Sequence, residues 1–438
     1  MIWLFLIVFS ILIIPKIFTI GIFVDGMTYA SISRNLAEGI GSIFKPTYTL
    51  TIYKEFYEHP PLQFYLESLF FKLLGDNFYT ERIYSVLIGF LTILILSFII
   101  RLINFFEKEN LPLFSAPFIL ISIPLTSWII LNNMLENTLT LFLLISFSFL
   151  ILSIYKSPFF SIISGIFLFL AFFTKGPVSL FIVIFPFLYL KRIPVKKILF
   201  IFLLLILGFM SFLLIPDVLN YLKIYLKNQV LSSILGHREI VGSRFDPVLK
   251  TIKEIIVPFS FLFIISLWKK FKLSFTGNSI RYFILALSGV IPLMVSPKQM
   301  DWYVFPSFPF FSIFLSLIFK QSLMFINQIF EKIFLKLISS FVVIISIILM
   351  FLSYGKIIKY LEFHNDFKNI KLSEHKIVGV CPKSLIQDWV VIALSQRYLK
   401  FSFSEIVDSV IFSSKDCNLN CNNILPKIYK NYYICNKL

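Results

Sequence analysis

Leu62-Gln63-Phe64-Tyr65-Leu66-Glu67-Ser68-Leu69-Phe70-Phe71-Lys72-Leu73-Leu74 is apolar enough for a membrane but too short to cross one comfortably, because a span needs about 20 residues. Its placement decides the topology of everything after it. Read as a span, it puts Lys191, Arg192, Lys196 and Lys197 outside, against the bias of Lys and Arg toward cytoplasmic loops. Read as a helix lying at the interface, it leaves that cluster inside. The interfacial reading agrees with the charges. Pro60 and Pro61 supply a rigid lead into it, since each proline fixes its own φ and pushes its predecessor out of the helical region.

The rest of the chain fits a membrane protein. Of 438 residues, 58% are hydrophobic and 14% charged, and the mean hydropathy is +0.89. No soluble domain hides that much apolar surface in one core, so a water-soluble enzyme is excluded. Forty Lys and Arg against 23 Asp and Glu give a net charge of +17, but they fall between apolar runs, which speaks for inside loops and against a nucleic-acid face. With 55 Phe in the chain, the mere presence of an aromatic carries little information.

Met1 to Ile22 has no basic start and no small-residue cleavage site, so it reads as an uncleaved span. Further apolar runs lie at 80–101, 111–131, 137–155, 158–174, 177–190, 197–216, 255–268, 281–296, 302–319 and 333–353. The expectation is a mainly α, polytopic bundle of about 11 transmembrane helices. With the N-terminus inside, the inner loops collect Arg101, Lys108, Lys156, the Lys191 cluster, Lys269, Lys270, Lys272, Arg281, Lys320 and Lys332. The short outer turns hold only Lys175 and Lys298. An odd count puts the C-terminus outside. Polar blocks 23–79, 217–253 and the tail from 354 then share the outer face, where a working site is expected.

Asp25 to Glu38 has Tyr29, Ile32, Leu36 and Ala37 at helical spacing and reads as a second interfacial helix. The expected domains are 1–353 in the membrane and 354–438 as a small extracytoplasmic α/β domain. In that tail, strands are expected at Lys376–Val380, Leu399–Phe403, Ser409–Phe412 and Tyr432–Cys435, with a helix over Ser384–Arg397. Its four cysteines, Cys381, Cys417, Cys421 and Cys435, suit disulfides in an oxidising exterior, with free thiols and a zinc site as the alternatives.

Ionisable residues near a membrane core are costly unless paired or wet, so each one at a helix end is weighed. Asp25 is either a helix cap or a general base. Glu136, isolated among apolar residues, is either a solvated helix start or a site acid. Lys175, in the Thr174-Lys175-Gly176-Pro177 break, either snorkels or contacts an anionic headgroup. Glu58-His59, then Gly236-His237-Arg238-Glu239 with Arg244, and finally Lys298 to Tyr303 add acids, cations and aromatics. Segment 217–253 is long enough for a lid. There is no phosphate-cradling Gly-rich loop, no His-Glu-x-x-His, no Gly-x-Ser-x-Gly and no acidic ladder of a proton pump.

The run Val24-Asp25-Gly26-Met27-Thr28-Tyr29-Ala30-Ser31-Ile32-Ser33-Arg34-Asn35-Leu36-Ala37-Glu38-Gly39, then Glu58-His59-Pro60-Pro61-Leu62, Phe70 to Gly75 and Glu81-Arg82, resembles the GT-C superfamily of integral-membrane glycosyltransferases. The resemblance is to the branch of protein O-mannosyltransferases and lipid A aminoarabinose transferases. Thr174 to Pro177 and Lys298 to Pro306 look like two further blocks, so the likeness covers roughly residues 1–310.

The resemblance implies transfer of a sugar, with inversion, from a polyprenyl phosphate to a lipid, glycan or protein acceptor at the outer face of the cytoplasmic membrane. It implies catalytic roles for Asp25 and Glu136, and donor-phosphate binding by His59, Lys175, Arg238, Arg244, Lys298 and Tyr303. Glu58 and His237 are its candidate ligands for a divalent metal. Two positions depart from the pattern: Gly26 follows Asp25 where many relatives have an acidic pair, and His59 stands where the family has lysine. A lipid or polysaccharide transporter is the rival reading. It requires pseudo-repeated helices and a polar site at mid-membrane.

Overall fold

The computed structural model describes residues 1–238, 242–361, 375–405, 410–414 and 432–436. The chain divides into two compact units, one of residues 1–17, 58–60 and 85–352, the other of 18–57, 61–84 and 353–438. One boundary between the units falls at 352–353. The tail, however, shares its unit with both helices of the first polar block.

In the first unit, long apolar runs form helices because nothing interrupts them and each backbone group is satisfied within its own segment. Among the described residues, seven stretches are long and apolar enough to cross a membrane: Thr80–Glu107, Leu135–Tyr155, Phe160–Tyr189, Val195–Leu214, Gly277–Val295, Asp301–Ile318 and Ile333–Leu352. Helix Thr80–Glu107 begins in the second unit and continues in the first. The expected run 111–131 is two short helices, Ser115–Ser122 and Pro124–Leu131, parted where Ile123 turns extended before Pro124. The run 255–268 lies inside the longer helix Asp246–Lys269.

Phe160–Tyr189 reverses direction. Lys175 pairs with Glu136 in the first turn of Leu135–Tyr155, whereas Tyr189 and Tyr155, at that helix's last turn, both donate to Glu107. The turning point is Gly176, whose φ of 78° is open to glycine and where a Cβ would collide with the Tyr225 hydroxyl. The return leg, Gly176–Tyr189, is a 3-10 helix, and at ~2.0 Å per residue its 14 residues rise about 28 Å, enough to cross. Phe147, Phe185 and Phe310 pack edge to face in the centre, with centroids 4.6 and 5.0 Å apart. Gly165 and Gly208 bring Phe160–Lys175 and Val195–Met210 into backbone contact.

Segment 217–253 is largely helical: Pro216–Tyr225 continues through a π turn, Leu226–Leu231, into Ser232–Ile234.

In the second unit both helices expected in the first polar block form, as Val24–Ala37 and Leu62–Leu74, joined by Ser33 Oγ to Glu67 Oε2 at 2.9 Å. The tail is an α/β layer. Strand Lys376–Cys381 pairs in parallel with Phe401–Ser404 and Val410–Ser414, and Tyr432–Asn436 adds antiparallel beyond. Helix Trp389–Leu399 connects the first two strands and packs on Val24–Ala37. Asp388 caps it through the amides of Val390 and Val391. Cys381 is disulfide-bonded, while Cys417 and Cys421 lie outside the described residues.

Candidate functional site

Glu136 sits in the first turn of Leu135–Tyr155, and Lys175 is the last residue of Phe160–Lys175. The turn at Gly176 sets the two helix ends side by side, and their side chains form an ion pair with 1% and 7% exposure. Lys175 Nζ also lies 4.7 Å from the centre of the Tyr303 ring. Buried charges of this kind are tolerated only when paired.

These residues line a cavity of about 440 Å³ together with Glu58, His59, Arg238 and Lys298. Val178, Phe181, Ile234 and Leu293 add apolar surface to the same lining. Arg238 donates to Gln229 and lies 3.6 Å from Glu58 Oε2. His59 is half-buried, and desolvation, with Lys175, Arg238 and Lys298 nearby, holds its pKa well below the usual imidazole range. At neutral pH it is therefore an uncharged hydrogen-bonding group, not a stand-in for a lysine cation.

Seven of the residues singled out in the sequence thus meet in one cavity: Glu58, His59, Glu136, Lys175, Arg238, Lys298 and Tyr303. His237 and Arg244 are exposed and do not line it. Asp25 belongs to the second unit and is half-buried in the first turn of Val24–Ala37. That helix starts at Val24, with Phe23 at the N-cap, so Asp25 does not hold the capping position.

Tyr221, Tyr225 and Gln229 were not singled out from the sequence. They recur every fourth residue, which aligns them on one face. Tyr221 donates to the His59 carbonyl at 2.8 Å, Tyr225 to the Lys175 carbonyl at 3.2 Å, and Gln229 accepts from Arg238. That spacing was the available signal.

Among the described residues no three His, Cys, Asp or Glu side chains converge as metal ligands. Glu58 faces Arg238, and His237 is exposed. The residues described therefore do not fit the divalent ion for which Glu58 and His237 are candidates, and no chemical step is derived through one.

The polytopic bundle, whose helix ends close over a cavity lined by both cations and hydrocarbon, has a GT-C-type fold. Residues 58–215 match the family described as dolichyl-phosphate-mannose-protein mannosyltransferase. The fold is similar to that of ArnT from Cupriavidus metallidurans bound to undecaprenyl phosphate, at 13% identity and a TM-score of 0.67 over 99% of this chain and 96% of that one. The apo state of the same enzyme matches at 11% identity and a TM-score of 0.62, over 94% and 93%. No curated protein matches the chain.

Proposed function

We propose that the protein transfers a sugar from a polyprenyl-phosphate-linked donor to an acceptor hydroxyl or phosphate on a lipid, glycan or protein, at the outer face of the cytoplasmic membrane. The observation that carries this reading is the mixed lining of the cavity, which brings Lys298 and Arg238 together with apolar side chains such as Val178, Phe181, Ile234 and Leu293. Phosphate charge suits the cations and a lipid tail suits the apolar lining. The ArnT structure that shares the fold was solved with undecaprenyl phosphate bound.

A sugar C1 on a phosphate already has a good leaving group, so the reaction needs a base for the acceptor and positive charge for the departing phosphate. Asp25 is proposed as the base, on the likeness of its motif, taking the acceptor's proton as the acceptor oxygen bonds to C1. The C1–O bond breaks with inversion, and the extra negative charge on the phosphate is held by Lys298 and Arg238, with the neutral His59 ring as a hydrogen-bond donor. A transporter site belongs at mid-membrane. This cavity lies instead at helix ends, beside the first turn of Leu135–Tyr155 and the last of Phe160–Lys175.

Mass spectrometry of glycoconjugates from cells with and without the protein tests the reading. One sugar modification should vanish with the gene and return with the wild-type chain. An identical glycoconjugate profile in both strains would contradict it.

A further inference from the structure

Glu136 has two carboxylate oxygens, and its protein neighbours use one. Oε1 accepts from Lys175, whereas Oε2 is buried and has no hydrogen-bond partner among the described residues. A buried charged acceptor without a donor is costly, and it persists in folded proteins where a ligand or water completes it. Glu136 lines the cavity, so a ligand seated there is the candidate to complete that oxygen.

The pair is held in place on every side. The Lys175 carbonyl accepts from Tyr225, its ammonium lies over Tyr303, and the Glu136 carbonyl accepts from Thr140 Oγ1 at 2.6 Å. As an ion pair, Glu136 and Lys175 carry no net charge, so an anion draws on Lys298 and on Arg238, which it shares with Glu58 at 3.6 Å. A carboxylate oxygen repels phosphate, and a lipid tail has no N–H or O–H to offer. Of the three parts of a polyprenyl-phosphate sugar, only the sugar carries hydrogen-bond donors.

We infer that Glu136 Oε2 binds the sugar of the donor, accepting a hydrogen bond from a ring hydroxyl or a ring ammonium, and that Lys175 is the positioning residue that aims it. The inference rests on the donor reading proposed above. It assigns Glu136 to sugar recognition, and proton transfer to another group.

The test measures binding to the full-length protein in nanodiscs of three probes: undecaprenyl phosphate, undecaprenyl-phosphate mannose and undecaprenyl-phosphate aminoarabinose. Wild type should bind at least one sugar-bearing lipid more tightly than the sugarless one. In Glu136→Gln the amide oxygen turns to Lys175 and the NH₂ faces the sugar's own donor, so that preference should fall about 10- to 100-fold while undecaprenyl phosphate binds as before. A loss seen with the mannose lipid identifies a hydroxyl, and one confined to the aminoarabinose lipid identifies the ammonium. Should Glu136→Gln fail to fold because Lys175 is left alone, Glu136→Leu with Lys175→Met buries no lone charge, offers the sugar no acceptor, and carries the same expectation.

An unchanged sugar preference in the variant, with slower transfer, would make Glu136 a proton-transfer group and overturn the inference while the donor reading stands. Equal affinity of wild type for all three probes would leave Oε2 with only a water and also overturn it. Failure of wild type to bind any of them would bring down the donor reading and this inference together.

Discussion

Arg397 grips Glu81 with two guanidinium nitrogens, Nε at 3.2 Å from Oε1 and Nη2 at 2.9 Å from Oε2, with both side chains 1% exposed. The same guanidinium reaches Asp76 Oδ1 at 2.8 Å and the Asn77 carbonyl at 2.5 Å. Arg34 answers from helix Val24–Ala37, donating to the carbonyls of Gln396 and Arg397 at 2.8 and 3.2 Å. The end of helix Trp389–Leu399 is thus fastened both to the helix that bears Asp25 and to the start of Thr80–Glu107.

Arg397→Gln should destabilise the protein by about 3 to 5 kcal/mol, because it leaves Glu81 buried without its partner. Arg397→Lys keeps the charge but not the fork, and should lose less. Thermal unfolding in detergent checks the order; equal melting temperatures for wild type and Arg397→Gln would refute it.

Glu38 gives the second unit an acid limit. Burial pushes its carboxyl up, but hydrogen bonds from His375 and Lys400 outweigh that and hold it at about 2, against an ordinary value of 4.5. A depressed carboxylate contributes stability that is complete above its unfolded pKa and is lost as pH falls through the folded one. The wild type should therefore lose stability between about pH 4.5 and 2, with a shallower loss in Glu38→Gln. Melting temperatures measured across that range decide the matter, and parallel curves for the two proteins would count against it.

Asp25→Asn should remain folded and keep its affinity for undecaprenyl phosphate while losing about 10²- to 10⁴-fold in sugar transfer. Asn keeps the size and shape of Asp, and Asp25 does not cap its helix, so a merely structural role predicts little change. Near-normal turnover in the variant would remove Asp25 from the chemistry.

Gly165→Ala places a methyl group against the Leu205 carbonyl, where no flexible side chain can give way. Overpacking of this sort costs about 1 to 3 kcal/mol. Gly39→Ala adds a Cβ that meets no other atom, although its φ of 81° strains any residue with a side chain. Thermal unfolding of both variants separates crowding from backbone strain. A melting temperature unchanged by Gly165→Ala would mean the two helices part freely there.

The sequence by itself determined what depends on neighbours along the chain. Apolar runs of spanning length gave the bundle, helical spacing from Asp25 to Glu38 and the shortness of Leu62–Leu74 gave the two helices of the first polar block, and alternation in the tail gave its strands to within a few residues. Glu58, Glu136, Lys175, Arg238 and Lys298 were legible because a charge beside a membrane core is conspicuous wherever it occurs, and His59 and Tyr303 through the motifs that carry the resemblance. What the chain could not reveal depends on how segments pack. Glu136 and Lys175 are 39 residues apart, and only the reversal at Gly176 joins them. Arg238 turns toward Gln229 and Glu58 while Arg244, a few residues on, stays exposed, because the path of the preceding helix and π turn decides which cation faces inward. Arg397 and Glu81, 316 residues apart, carry no local pattern, since a buried ion pair is specified by the geometry of the two elements that bring it together.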